Sequence, residues 1–306
     1  MKFIFRAIKS VIKIGVLRLL KKKILKHFGR VYSCYLAYSS DDGVRYSASS
    51  GGFCKSFLWY LVDLDEGIDE AIITRTGSKH SPLIPEVIAT KKREDIFSTR
   101  TNSVYAPTNP ISVLKDLDPS KGYVFTGLGC HVRNLRLLQR RGIAKNVKLV
   151  VGLLCSHTPN INIVKQLFEK LNLNEKDVIK IEYRGNGWPG GFTAYMKNGS
   201  TKYVSSKHYF PNDLNNAPQC CKSCSEVSKE ADVVVCDPWR IISPRNEYNG
   251  KTLVLCRNVM ADRLVVDAAK KKYIIIESSD VDAFFRSQGE HLFSKILRKW
   301  RKRRKK

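Results

Sequence analysis

Four cysteines are placed for metal chemistry. Cys130 and Cys155 each close an apolar, strand-like run, and Cys221 and Cys224 form a CxxC further along the chain. Thiolates drawn from three separate segments meet only through the fold. That arrangement points to an iron-sulfur cluster and electron transfer rather than to a zinc loop closed within one short segment. A zinc ribbon would show two CxxC knuckles, and one is present here.

The cysteines differ in what their surroundings imply. Cys130 opens a predicted helix, HVRNLRLLQRRG, whose dipole favours a thiolate, so it reads as a ligand or nucleophile, with a buried half-polar thiol as the alternative. Cys155 follows LVVGLL, which taken alone reads as core. Two residues between Cys221 and Cys224 let both reach one centre, a spacing shared with redox dithiols and half zinc knuckles. Cys220 stands beside the pair and can substitute for Cys221, while Cys34, Cys54, Cys236 and Cys256 lack partner spacing and read as structural. His131 and His157 adjoin candidate ligands; a structural or solvent-facing role is the preferred reading over proton transfer.

A second constellation is rich in glycine, hydroxyl and amide groups. In SASSGGF, Ser49, Ser50, Gly51 and Gly52 precede a predicted helix, so their backbone amides suit a phosphate, although a plain flexible turn has the same composition. STRTNS supplies Arg100, Thr101, Asn102 and Ser103, suited to phosphate or ribose. TGLGC adds a close-approach turn at Thr126 and Gly127. Trp188, in YRGNGWPGGF, offers an indole that can stack on a flat ring or pack as an ordinary turn residue. No GxGxxG, P-loop or HExxH is present.

The elements that must position these groups alternate. FCKSFLWYLVDLDEG is apolar at helical spacing through Phe53, Phe57, Leu58, Leu61 and Val62. AIITR reads as a strand with a return strand before residue 90. GYVFTGLGC, the HVRNLR helix and NVKLVVGLLC form a strand, helix and strand within about thirty residues, the pattern of a right-handed βαβ unit. A helix in NINIVKQLFEKL precedes a meander of short strands in KIEYRG, FTAYMKNG and TKYVSS. ADVVVCDPW and GKTLVLCRN then read as strands, followed by a helix from Met260 to Lys272 and a strand at YIIIES. The expected class is α/β with a mixed, partly parallel sheet and flanking helices. In such sheets ligands settle beyond the carboxyl ends of the strands, where Thr126, Gly127, Cys130 and Cys155 fall.

With 306 residues, 43% of them hydrophobic, the chain can build a full core. Nine cysteines without a signal-peptide pattern suggest a reducing, cytoplasmic setting. The net charge of +26 is concentrated at the ends: residues 1–30 carry ten Lys or Arg, residues 295–306 carry nine, and +7 remains between. Lys2, Arg6, Lys9 and Lys13 alternate with Ile4, Ile8, Val11 and Ile12 as an amphipathic helix, suited either to an anionic membrane surface or to docking on its own domain. The segment lacks the charge-free run of about 18 residues that a spanning helix needs. The tail RKWRKRRKK adds attraction to anionic lipid of about 1 kcal/mol per basic residue near the surface. A peripheral place at the inner face of the membrane is therefore expected.

Taken in order, SSGGF, TGLGCHVRNLR, LLCSHTP, YRGNGWPGG, CCKSC and ADVVVCDPW resemble the coenzyme F-420 hydrogenase/dehydrogenase beta-subunit family over residues 45–290. The resemblance implies an iron-sulfur flavoprotein oxidoreductase that passes electrons between a hydride carrier, often the deazaflavin coenzyme, and a one-electron partner. It implies one 4Fe-4S cluster on Cys130, Cys155, Cys221 and Cys224. It also implies FAD near Ser49, Ser50, Gly51 and Gly52, with Arg100, Asn102, Ser103, Thr126 and Gly127 as further contacts and Trp188, Asp237 and Trp239 lining the site. The chain then divides into a basic helix (1–30), an N-terminal region on the flavin side (31–115), a C-terminal region with the cluster cysteines (116–290) and a basic tail (291–306).

Two departures from the family pattern bear on the hydride carrier: His131 stands where glutamine is usual, and CDPW replaces the usual glycine-containing motif. No ferredoxin-like module with clustered cysteines occurs in residues 1–44, so a redox partner protein or ferredoxin must continue the electron path. Two other classes stand beside this reading. One is a non-redox enzyme or scaffold of surface-polysaccharide biosynthesis at the membrane; the family resemblance also implies surface-polysaccharide metabolism as a setting for the redox reading. The other is a basic nucleic-acid-binding protein with structural zinc, disfavoured by the modest mid-chain charge.

Overall fold

A computed structural model describes residue 15 and residues 19–64, 66–78, 81–160, 162–209 and 216–303. The amphipathic positions from Lys2 to Lys13 and the final residues 304–306 lie outside the described residues. Helix α1 (residues 19–28) leads to β1 (Ser33–Ser39), α2 (Asp42–Ser47), α3 (Phe53–Asp63), β2 (Glu70–Arg75), β3 (Glu86–Thr90) and α4 (Arg93–Phe97). Next come β4 (Tyr123–Leu128), α5 (Gly129–Arg140), β5 (Val147–Leu153) and α6 (Asn162–Lys170), then β6 (Val178–Glu182), β7 (Gly191–Met196) and β8 (Thr201–Ser205). The chain continues through α7 (Ser206–Tyr209), α8 (Gln219–Lys222), β9 (Val233–Cys236), β10 (Thr252–Cys256), α9 (Val259–Lys270), β11 (Ile274–Ser278) and α10 (Val281–Arg303).

The α/β expectation holds. Eight strands form one mixed sheet in the order β11-β1-β10-β9-β5-β4-β2-β3, and β6, β7 and β8 form a smaller antiparallel sheet. Strands β2, β4, β5 and β9 run parallel, and the remaining neighbours in the large sheet pair antiparallel. Both faces of the parallel centre are covered, which is why its strands read as unbroken apolar runs. Side chains of β4 alternate between the faces: Val124 joins Phe57, Leu61, Val265 and Ala268 from α3 and α9. Tyr123 and Phe125 join Val132 and Leu135 of α5, Phe28 of α1, and Phe284 and Leu292 of α10 on the other. Each such fully buried large side chain contributes roughly 1.5–3 kcal/mol.

The described part of the N-terminal helix docks on its own domain. Ile24 and Phe28 are buried, the Phe28 ring lies 4.5 Å from that of Phe284, and Lys21 pairs with Asp282 at 2.5 Å. The basic C-terminal segment continues α10 through Arg303, with Leu292 and Ile296 in the core. Among the described residues no helix is long and apolar enough to cross a membrane. Strand β1, between β10 and β11, and the length of α10 are elements the local pattern did not single out.

Candidate functional site

One edge of the large sheet collects the chemistry. The carboxyl ends of β4, β5 and β9 lead directly to Cys130, Cys155 and Asp237. Antiparallel β10 begins on that edge, with Leu253 opposite Cys236, and β1 ends there, with Ala37 opposite Thr252. The Ser49–Gly52 turn that follows β1 and α2 therefore arrives at the same edge as the cysteines.

Two glycines let the CxxC segment approach. A Cβ on Gly129 would stand 2.7 Å from the backbone nitrogen of Ser228, and one on Gly152 would stand 2.7 Å from Cβ of both Ser228 and Ala231. The loop after Cys224 is thereby pressed onto the start of α5 and onto β5, and Ser228 Oγ donates to Leu153 O at 2.9 Å. Gln219–Lys222 forms the short α8, after which Cys224 N donates to Cys221 O at 3.2 Å and turns the CxxC.

Burial first, and neighbouring cysteines second, raise the Cys130, Cys155 and Cys221 thiols. Burial, then Cys224, Cys155 and Cys221 in that order, pushes the Cys130 thiol up to about 12. Burial pushes Cys155 up to about 11 against the opposing Lys295 ammonium, with Cys221 and Cys224 adding to the rise. Cys221 is raised by burial and by its neighbours Cys220 and Cys224. Four thiolates at one place repel, so their joint ionisation requires a cationic centre among them, and its binding releases protons. Among the described residues no three His, Cys, Asp or Glu side chains converge tightly enough for a single metal ion. A tetrahedral ion with sulfur at 2.3 Å needs thiolates about 3.8 Å apart. A polynuclear iron-sulfur cluster takes cysteine thiolates from a wider spread, and cysteine is the donor type these three segments supply.

Basic groups close the thiol site. Lys295 Nζ lies 3.7 Å from Cys224 Sγ, and Arg298 Nη1 donates to Ser156 O at 2.9 Å and to Cys221 O at 3.3 Å. His131 Nδ1 accepts from Leu128 N at 3.3 Å and caps α5, and burial lowers its pKa to about 4. This is the structural role preferred for it. His157 Nδ1 lies 3.2 Å from Ser156 Oγ. Cys34 and Cys256 are buried within the sheet.

Beside the thiols lies a polar hub that sequence reasoning missed. Arg184 is 2% exposed, and its guanidinium grips Asp237 with both terminal nitrogens. It also donates to Ser49 O at 2.7 Å and Pro189 O at 3.1 Å. Ser49 Oγ accepts from Ser103 N at 2.8 Å, and Asn102 Nδ2 donates to Ser47 O at 2.8 Å and Arg184 O at 2.9 Å. Trp188 Nε1 donates to Asp237 Oδ1 at 3.0 Å. An arginine flanked by a strand and a run of glycines was the available signal.

The hub unites Ser49, Asn102, Ser103 and Trp188. Trp188 is 1% exposed and packs on Trp239 with ring centres 4.8 Å apart, so it forms an inner wall rather than an exposed turn. Ser50 Oγ donates to Lys251 O at 2.7 Å, and Gly51 and Gly52 lead into α3 against Gly250. Arg100 stands apart, its Nε donating to Thr76 O at 2.7 Å. Thr126 Oγ1 donates across the sheet to Ile72 O at 2.9 Å, and Gly127 lies under Phe125 and His131. Asn102 Oδ1 is a buried acceptor without a hydrogen-bond donor, one point at which an N–H of a flat heterocycle fits the hub.

The coenzyme F420 hydrogenase/dehydrogenase beta subunit profiles match this chain twice, the N-terminal one over residues 34–115 and the C-terminal one over residues 120–282. A chain of the xenon-derivatised F420-reducing nickel-iron hydrogenase complex from Methanosarcina barkeri has the same fold. It superposes with a TM-score of 0.67 at 21% identity, covering 89% of this chain and 92% of that chain. The two profile matches run from β1 to the start of α10 and include the cysteine segments and the Arg184 hub. The chain belongs to the coenzyme F420 hydrogenase/dehydrogenase beta subunit family, a family of oxidoreductase subunits.

Proposed function

We propose that this chain is an electron-transfer subunit in which Cys130, Cys155, Cys221 and Cys224 hold one 4Fe-4S cluster and FAD sits on the same sheet edge. The observation that carries the reading is the convergence of three separate segments: adjacent β4 and β5 lead to Cys130 and Cys155 at one sheet edge, and Gly129 and Gly152 admit the loop that follows the CxxC. When bound, the flavin supplies the exchange between hydride and single-electron chemistry and the cluster a one-electron store.

The chain's own residues do the positioning. Arg184 and Asp237 lock the Ser49 turn to the end of β9, and Ser103 N fixes the Ser49 hydroxyl. Asn102 presents its free carbonyl oxygen toward the hub, and Trp188 and Trp239 wall it off from water. Thr126 and Gly127 hold the turn before Cys130 close to the sheet. The hydride carrier is the deazaflavin coenzyme or a similar molecule, and a partner protein, such as a ferredoxin, exchanges the single electrons. The hydrogenase complex that contains the similar chain supports a multi-protein setting. The setting is cytoplasmic. Ile24 and Phe28 are spent on the chain's own core, so what residues 19–28 add to contact with an anionic membrane is electrostatic and weakens with salt.

Anaerobic reconstitution with ferrous iron, sulfide and FAD tests the reading. A brown protein with about one cluster and one flavin per chain is expected, and Ala at any of the four cysteines should abolish the iron chromophore while Cys34→Ala retains it. A colourless protein carrying stoichiometric zinc would sink it.

A further inference from the structure

Helix α10 turns one basic side toward the four thiols. His291, Lys295 and Arg298 recur four and three residues apart, so they share a face of the helix. Arg298 holds the backbone beside Cys155 and at Cys221. His291 is half-buried, with its Nε2 atom out of reach of solvent and lacking a hydrogen-bond partner among the described residues. Between them, Lys295 is 1% exposed, and its hydrogen-bond contact among the described residues is the Cys224 sulfur at 3.7 Å.

An ammonium buried this deeply is costly unless something negative lies next to it. Among the described residues no carboxylate forms an ion pair with it; its hydrogen-bond neighbour is a thiol, and Lys295 acts on Cys155 as well as Cys224. A centre held by four thiolates would be the missing anion. The segment also lies beyond residue 282, where the family match ends.

We infer that Lys295 is the fixed counter-charge of the four-thiolate centre, a positioning residue whose ammonium stabilises the reduced form and raises the reduction potential. The inference rests on the cluster reading above. The step is the uptake of one electron from a one-electron donor, a reduced partner protein or dithionite. The centre gains one negative charge, no bond forms or breaks, and no proton moves.

The full chain and its Lys295→Met and Lys295→Arg variants are reconstituted anaerobically with iron and sulfide. Bound iron is measured, and the midpoint is read by dithionite titration followed by electron paramagnetic resonance. Lys295→Met should bind iron with its midpoint lowered by at least about 59 mV, a tenfold change for a one-electron couple. Lys295→Arg should stay near the parent. Iron loss from a folded Lys295→Met that Lys295→Arg restores supports the same role, and Lys295→Gln replaces Lys295→Met should the latter fail to fold. An unchanged midpoint in iron-loaded Lys295→Met overturns the inference and leaves the cluster reading standing, as does equal iron loss from both variants. A parent chain that takes up no iron and sulfide sinks both.

Discussion

Arg184 and Asp237 form a bidentate ion pair, Nη1 to Oδ2 at 2.7 Å and Nη2 to Oδ1 at 3.2 Å, that ties the end of β6 to the end of β9. The side chains are 3% and 14% exposed. Burial alone would raise the Asp237 carboxyl, yet the guanidinium beside it holds it below its usual range. Asp237→Ala leaves a buried guanidinium uncompensated and should destabilise by about 3–5 kcal/mol. Adding Arg184→Leu should recover part of that loss, as measured by urea unfolding in a double-mutant cycle.

Lys55 sets a pH dependence in the alkaline range. It is 6% exposed, its ammonium donates to Ser98 O at 2.9 Å and Phe97 O at 3.4 Å, and burial pushes its pKa down to about 8 from 10.5. Between those values the unfolded chain binds more protons than the folded one, so stability rises with pH across the window and is lost as pH falls through about 8. Lys55→Met should remove a rise of about 3 kcal/mol between pH 7.5 and 10.5, read by urea unfolding of both proteins across that range.

Gly129 controls the approach of the CxxC loop. A methyl group there would meet Ser228 N at 2.7 Å, so Gly129→Ala must displace the segment after Cys224. A loss of about 1–3 kcal/mol is expected. Iron bound per chain after reconstitution should fall with it, and an unaltered iron content would show that the loop does not position the site.

Cys220 and Cys221 should separate cleanly. Cys220 is exposed, whereas Cys221 is half-buried and acts on Cys130 and Cys155. Cys220→Ala should retain the reconstituted iron and Cys221→Ala should lose most of it, measured as iron and acid-labile sulfide per chain.

The local pattern of the chain sufficed for the α/β class, for the strands that carry Cys130 and Cys155 to their carboxyl ends, and for the CxxC. Apolar runs and helical spacing act over a few residues and are legible in order along the chain. Folding alone decided the rest. The CxxC reaches the other cysteines because Gly129 and Gly152 admit the 226–231 loop. Arg184 meets a carboxylate 53 residues away, and Lys295 meets a sulfur 71 residues away. Trp188, placed in a glycine-rich turn, ends 1% exposed because Trp239 and Asp237 close over it. Each of these depends on how distant segments cross at one edge of the sheet, and no periodicity within a segment encodes that crossing.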